Sequence, residues 1–192
     1  MSELTEIRWH ARAGQGAVTA AQLVAEIAMG NGRYMQAMPE FGPERTGAPL
    51  KAYTRLADEP IEIHNNVVNP DIVVVMDTTL LGQVDVLEGM NPEGTIIVNT
   101  RKSPDEIRAA LNAPAGITVA CVDATQIALD TIGRNIPNTP LVAAMARVCG
   151  VMTLENVLAH IEREFSKKFN AKVVAGNLDS VQIGRASCRE RV

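Results

Sequence analysis

Short β-branched apolar runs recur along the chain at Ile72–Met76, Thr95–Asn99 and Ile117–Val122, the pattern of strands buried on both faces of a parallel sheet. Glu6–His10, Tyr34–Met38 and Leu50–Leu56 are further strand candidates. Between them lie segments with helical character. Ala17–Met29 is rich in Ala, Leu, Val and Ile without a proline, and Leu80–Leu87 can form a short helix. Ser103 supplies a cap residue before Pro104 and the acidic pair Asp105 and Glu106, which marks another helix start. Asp123–Ile132 follows the third apolar run. Thr139–Gly150 then reads as a helix capped by Thr139, with Pro140 in its first turn and Gly150 closing it, and Leu154–Phe165 as the next. Strands alternating with helices predict an α/β fold of three layers, Rossmann-like, with a mostly parallel sheet and helices on both faces.

The predicted domain covers residues 1–182. Ile183–Val192 (IGRASCRERV) reads as translated sequencing adapter, so these residues are expected to be foreign and Cys188 to carry no functional weight.

Composition narrows the class. With 192 residues, 46% hydrophobic and 21% charged, the chain can bury one sizeable core and resembles ordinary globular proteins. A net charge of −4 argues against nucleic-acid binding, which demands a basic excess. The first residues carry no apolar stretch of the signal-peptide kind, no run calls for a bilayer, and the cytoplasm is the expected location. Cys121, Cys149 and Cys188 are too scattered for a disulfide framework or an iron–sulfur or zinc site, so any cluster is expected on another chain.

Candidate chemistry begins at Ala13-Gly14-Gln15-Gly16, where the first strand turns into the first helix. Unpaired N–H groups and the helix dipole converge on such a point and favour an anion, and Arg12 adds a planar guanidinium. The same segment also reads as a purely structural tight turn, because the spacing G-x-G-x-x-G of a dinucleotide site is incomplete. Asp77 and Asn99 end parallel strands, where ligands of open α/β sheets gather, and capping is the favoured role for Asp77. Asn99-Thr100-Arg101-Lys102 brings two cations and two polar groups out of one strand end, either toward a charged ligand or as a solvated turn. Pro39–Pro49, rich in proline and glycine, displays Glu40, Glu44 and Arg45 on a stiff loop that either docks on a partner or stands alone. His10 is expected to hydrogen-bond locally.

Glu6–Ala21 (EIRWHARAGQGAVTAA) followed by Glu40–Pro49 (EFGPERTGAP) resembles the gamma subunit, or gamma domain, of the pyruvate and related 2-oxoacid:ferredoxin oxidoreductases. Ser166–Phe169 and Val174–Asn177 are similar to that family's carboxyl-terminal segment. One departure is visible: Ala11 and Ala13 stand where the family often carries glycine, and alanine there would strain a loop that needed positive φ. The resemblance implies a non-autonomous enzyme subunit. Thiamine diphosphate with magnesium would sit on alpha and beta partners, iron–sulfur clusters would pass electrons to ferredoxin, and a ferredoxin-like delta subunit would belong to the assembly. The gamma component would assist coenzyme A, with Arg12, Ala13, Gly14, Gln15, Gly16, Asn99 and Lys102 as candidate contacts and Glu40, Glu44 and Arg45 as a candidate interface. Pyruvate is the expected oxoacid, with indolepyruvate or 2-oxoglutarate as alternatives. A free-standing nucleotide-binding domain and a ligand-free scaffold are the competing readings outside the family role.

Overall fold

A computed structural model describes residues 4–40 and 47–191. Its first strand, β1 (Thr5–Arg12), alternates two chemistries. Ile7, Trp9 and Ala11 enter an apolar layer, while Arg8, His10 and Arg12 occupy the other side of the strand. The remaining strands are β2 (Tyr34–Glu40), β3 (Pro49–Ala57), β4 (Ile72–Val75), β5 (Thr95–Asn99), β6 (Thr118–Val122) and β7 (Arg189–Arg191). They form one sheet in the order β2-β3-β1-β4-β5-β6-β7. β1, β4, β5 and β6 pair in parallel, and antiparallel strands border them on both sides.

The helices are α1 (Ala17–Gly30), α2 (Pro104–Leu111), α3 (Ala124–Ile132), α4 (Asn138–Cys149), α5 (Leu154–Phe165) and α6 (Ala171–Ser187). Five of them share the apolar layer that holds Trp9, Val74, Ile97 and Leu141, whereas α2 alone brings Ile107 against Val73, Val75, Ile96 and Val98 on the opposite face. The α/β layering therefore matches the sequence expectation, with unequal helical cover on the two faces. α2 starts as expected: the Ser103 hydroxyl accepts from the Glu106 amide at 3.2 Å, and the Glu106 carboxylate accepts from the Ser103 amide at 2.7 Å.

The expectations for two helices are corrected. Residues 80–87 form no helix; a 3-10 turn covers Thr78–Leu80, capped by Asp77, and turns follow it. Thr139 does not cap α4, which begins at Asn138 after Pro137; the Thr139 hydroxyl instead donates to Asn177 Oδ1 at 3.0 Å inside the helical layer. α6 carries no clear apolar stripe in its sequence. Its inward positions are small because it presses on its neighbours: a Cβ on Gly176 would meet the Thr131 carbonyl oxygen at 2.4 Å. Ile183–Ser187 complete α6, and β7 pairs with β6. How these residues pack is independent of the origin of their codons.

Across the face opposite α1, two buried guanidinium groups fasten loops onto the sheet. Arg8 donates to His10 Nε2 at 3.0 Å and to the Val86 and Glu88 carbonyls at 3.1 and 2.6 Å. Arg55, 1% exposed, pairs with Glu6 at 2.7 Å and donates to the Asn65 carbonyl at 2.8 Å. Nothing short of following the strand alternation signals these two cations in the sequence.

Candidate functional site

The parallel strands β1, β4, β5 and β6 end along one edge of the sheet, and the residues singled out by sequence sit on the connections leaving it. Gly14 and Gly16 have φ of 99° and 84°, and Gly16 precedes α1 as its cap without a side-chain hydrogen bond. Conformation, not space, demands glycine at Gly14, since a Cβ there would meet nothing within 4 Å. Ala11 and Ala13 raise no such demand. Among the described residues Asn112 is the only non-glycine with positive φ; Ala11 pairs with Leu50 in the ladder, and the Ala13 amide donates to the Ala48 carbonyl at 2.9 Å. The strain that alanine threatened in the family's glycine pattern is absent.

Arg12 is a junction. Its guanidinium donates to Thr79 Oγ1 at 2.8 Å, to the Gly47 carbonyl at 3.0 Å and to Gln83 Oε1 at 3.0 Å, and it lies 3.6 Å from Asp77. Three of its five N–H donors are thereby engaged by described residues, which fixes the plane of the group while leaving donor capacity on a partly exposed side chain. Gln15 closes the loop onto itself and its neighbour, accepting from the Arg12 amide at 2.8 Å and donating to Asp77 at 2.6 Å. Asp77 caps the 3-10 turn through the Thr79 amide at 2.9 Å, the role favoured for it by sequence. Partial burial raises the Asp77 pKa, but hydrogen bonds from Thr79 and Gln15 and the Arg12 charge outweigh that and hold it below the ordinary carboxylate value.

Asn99 is engaged internally. Its amide donates to the Met76 carbonyl at 2.9 Å and to Thr125 Oγ1 at 2.8 Å, and its Oδ1 accepts from the Thr125 amide at 3.1 Å, tying β4, β5 and α3 together. Arg101 pairs with Asp123 at 2.7 Å, and Lys102 is exposed beside it. Since β4 lies between β1 and β5, Lys102 leaves the sheet two strands from Arg12, about 10 Å at ordinary strand spacing.

Glu40, expected on a loop with Pro39 and Pro49, instead ends β2 and pairs with Lys51 in the ladder, as Pro39 does with Ala52, while Pro49 opens β3; the Glu40 carboxylate accepts a hydrogen bond from the Tyr53 hydroxyl. Burial and this contact push the Tyr53 pKa well above its ordinary value. Glu44 and Arg45 lie outside the described residues. A cavity of about 180 Å³ opens beside the end of β1, lined by His10, Glu40, Leu50, Lys51, Leu80 and Val84 among others. Burial, with Arg8 and Lys51 nearby, lowers the His10 pKa to about 3, so this histidine is a neutral acceptor for Arg8. No group of three or more His, Cys, Asp or Glu side chains converges among the described residues, so their donor set does not fit a cluster or metal. None of the described helices is long and apolar enough to cross a membrane.

The family model for pyruvate ferredoxin/flavodoxin oxidoreductase matches residues 6–187. The chain belongs to this family. PorC, a pyruvate synthase subunit of Thermotoga maritima, is 47% identical over 179 residues, which span 93% of this chain and 92% of that one. The pyruvate/ketoisovalerate oxidoreductases common subunit gamma of Pyrococcus abyssi is 44% identical over 94% of this chain and 98% of its own length. The crystal structure of the Thermotoga pyruvate oxidoreductase subunit superposes with a TM-score of 0.87 at 40% identity, covering 99% of each chain. At 17% identity and a TM-score of 0.76, the Magnetococcus marinus 2-oxoglutarate:ferredoxin oxidoreductase shares the fold alone, over 96% of this chain and 31% of its own.

Sequence reasoning located the loop, Arg12 and Asp77 but missed Thr79 and Gln83, which hold the guanidinium. Their contacts to Arg12 cross 67 and 71 positions of chain, and no local spacing announces them.

Proposed function

We propose that this chain is the gamma subunit of a pyruvate (2-oxoacid):ferredoxin oxidoreductase and helps the complex bind coenzyme A for conversion of pyruvate to acetyl-CoA, or the reverse. The end-to-end correspondence with PorC at 47% identity carries this reading. Thiamine diphosphate, magnesium and iron–sulfur clusters belong on alpha, beta and delta partners, and ferredoxin meets the assembly there. Coenzyme A is the acyl acceptor. Within this chain the Ala13–Gly16 loop, whose Ala13 and Gln15 amides are held by the Ala48 and Arg12 carbonyls, opens onto the first-turn amides of α1 for a phosphate, Arg12 adds oriented N–H donors, and Lys102 adds a second cation along the same edge. Asn99 serves by holding the strand end from which Lys102 emerges, and Glu40 with Glu44 and Arg45 borders the partner side. The complex is expected in the cytoplasm.

The topology disfavours a dinucleotide-binding alternative. After α1 the chain crosses to the sheet border, where β2 pairs only with β3 and is separated from β1. Glu40 therefore ends a strand that is not adjacent to the glycine loop, and Asp77, which follows the adjacent parallel strand β4, has its carboxylate taken up by Gln15, Thr79 and Arg12. Substrate choice among oxoacids is assigned to the partners, consistent with the Pyrococcus gamma subunit being common to pyruvate and ketoisovalerate oxidoreductases.

Reconstitution tests the proposal. In the assembled enzyme Lys102→Glu is expected to raise the KM for coenzyme A severalfold with kcat nearly unchanged, because a uniform binding contact is lost. Arg12→Glu should do the same more strongly. Unchanged coenzyme A kinetics in both correctly assembled variants would return the loop to a structural turn.

A further inference from the structure

The hydrogen-bond parity of the sheet can be followed from its centre to its border. On β1 the His10 carbonyl accepts from the Met76 amide at 2.8 Å and the Glu6 carbonyl from the Asp71 amide at 2.9 Å, so the even-numbered residues of β1 point toward β4. Its odd-numbered residues consequently exchange bonds with β3. Ala13 confirms the sense, donating to the Ala48 carbonyl at 2.9 Å. In the antiparallel register Trp9 faces Ala52, so Ala52 directs its amide and carbonyl at β1 and turns none toward β2. Pro39 is the β2 residue opposite Ala52, a position that requires no N–H. By the same alternation Tyr34, Gln36, Met38 and Glu40 bond to β3, while Met35 and Ala37 aim amide and carbonyl away from the sheet.

That outward row is a strand template. β2 is terminal in the sheet order, and among the described residues no strand pairs with its outer side. Exposed apolar residues adjoin it: Met29 is 57% exposed, Tyr34 48% and Ile63 45%. A groove of about 570 Å³ runs along it, lined by Ala25 and Glu26 of α1, by Met35 to Met38, and by His64. Its surroundings are acidic. Glu26 stands in the groove, and the loop after β3, which receives the Gln36 amide at the Ile61 carbonyl, carries exposed Asp58, Glu59 and Glu62. Arg33 is paired with Asp58 at 3.0 Å.

We propose that the β2 edge accepts an extended segment of a partner subunit as an eighth strand, and that basic residues flanking this segment meet Glu26, Glu59 and Glu62. A second copy of this chain is the poorer occupant, since an isologous β2–β2 pairing would bring the same acids face to face. The inference rests on the gamma-subunit reading.

Amide hydrogen exchange on the free chain and on the assembled complex tests it. The Met35 and Ala37 amides are expected to slow at least tenfold on assembly, while Tyr34, Gln36 and Met38 are slow in both states. Ala37→Pro removes an outward amide and no inward one, so the free variant should keep its circular dichroism and melting midpoint while its incorporation falls at least tenfold. Glu62→Lys should lower incorporation in the same direction. Equal exchange of Met35 and Ala37 in free and assembled chain, or normal incorporation of Ala37→Pro, would overturn the edge assignment alone. Concentration-dependent protection in the free chain would assign the edge to a second copy and overturn it too. Failure of the wild-type chain to copurify with any alpha or beta partner would instead overturn the gamma-subunit reading, and this inference with it.

Discussion

The Gln15 side chain donates to the Asp77 carboxylate at 2.6 Å, joining the connection after β1 to the connection after β4 across the edge where the parallel strands end. Asp77 also caps the Thr78–Leu80 turn and faces Arg12. Asp77→Ala removes a cap and leaves Gln15 without that acceptor, a loss of about 1–2 kcal/mol. The melting midpoint of the free chain should fall by roughly 2–8 °C. In the assembled enzyme the same variant should raise the KM for coenzyme A more than it lowers kcat, because a loosened Arg12 still presents its charge. A variant that loses thermal stability with coenzyme A kinetics untouched would separate this junction from ligand binding.

Acid should weaken the fold through His10. In the folded chain its pKa is depressed to about 3, against about 6.5 in the unfolded chain. Between those values the unfolded state binds the proton and the folded state does not, so stability is fully present above about pH 6.5 and declines as the pH falls. At pH 5 the deficit from this residue is about 2 kcal/mol. Chemical denaturation at pH 7.5 and pH 5 should show it, and His10→Gln, which accepts from Arg8 without titrating, should flatten the slope. An equal slope in both proteins would mean that the imidazole charges without disturbing the fold.

Arg55→Ala should be among the most damaging single changes. It strips the partner from Glu6 and from the Asn65 carbonyl in a 1%-exposed site, and removal of one member of a buried pair costs about 3–5 kcal/mol. Urea unfolding would register it as a drop in midpoint. Arg55→Lys should recover only part, since an ammonium cannot reach Glu6 and both Asn65 acceptors in one plane.

Gly176→Ala tests the contact between α6 and α3. The added methyl would sit 2.4 Å from the Thr131 carbonyl oxygen, so the helices must part, at a cost of about 1–3 kcal/mol. Gly133→Ala is a useful contrast: its Cβ would meet nothing, and its penalty comes from a φ of 74° instead.

The central strands were legible because Ile72–Val75, Thr95–Asn99 and Thr118–Val122 are buried on both sides and leave the chain no polar position to alternate with. The glycine loop was legible because Gly14 and Gly16 stand where a strand becomes a helix. α6 was not: Gly176, Asn177 and Ser180 face inward, so the usual apolar stripe is replaced by close approach of backbones. The grip on Arg12 was also invisible, since Gly47, Thr79 and Gln83 reach it only through tertiary folding. Which side of Asn99 faces a ligand could not be read either, because Met76 and Thr125 claim its amide from two other elements.

The alternation along β1 also sets how errors are refused during folding. Sliding this strand by one residue would drive the charged heads of Arg8 and Arg12 into the layer under α1 and lift the indole of Trp9 out of it. Burying two unpaired guanidinium groups would outweigh the roughly 5–15 kcal/mol by which a domain is stable, and exposing the indole would add a few kcal/mol more. The strand that carries the glycine loop thus refuses every alignment with β3 and β4 that is out by an odd number of residues, and Arg12 keeps to the face that holds Thr79 because those alignments are excluded.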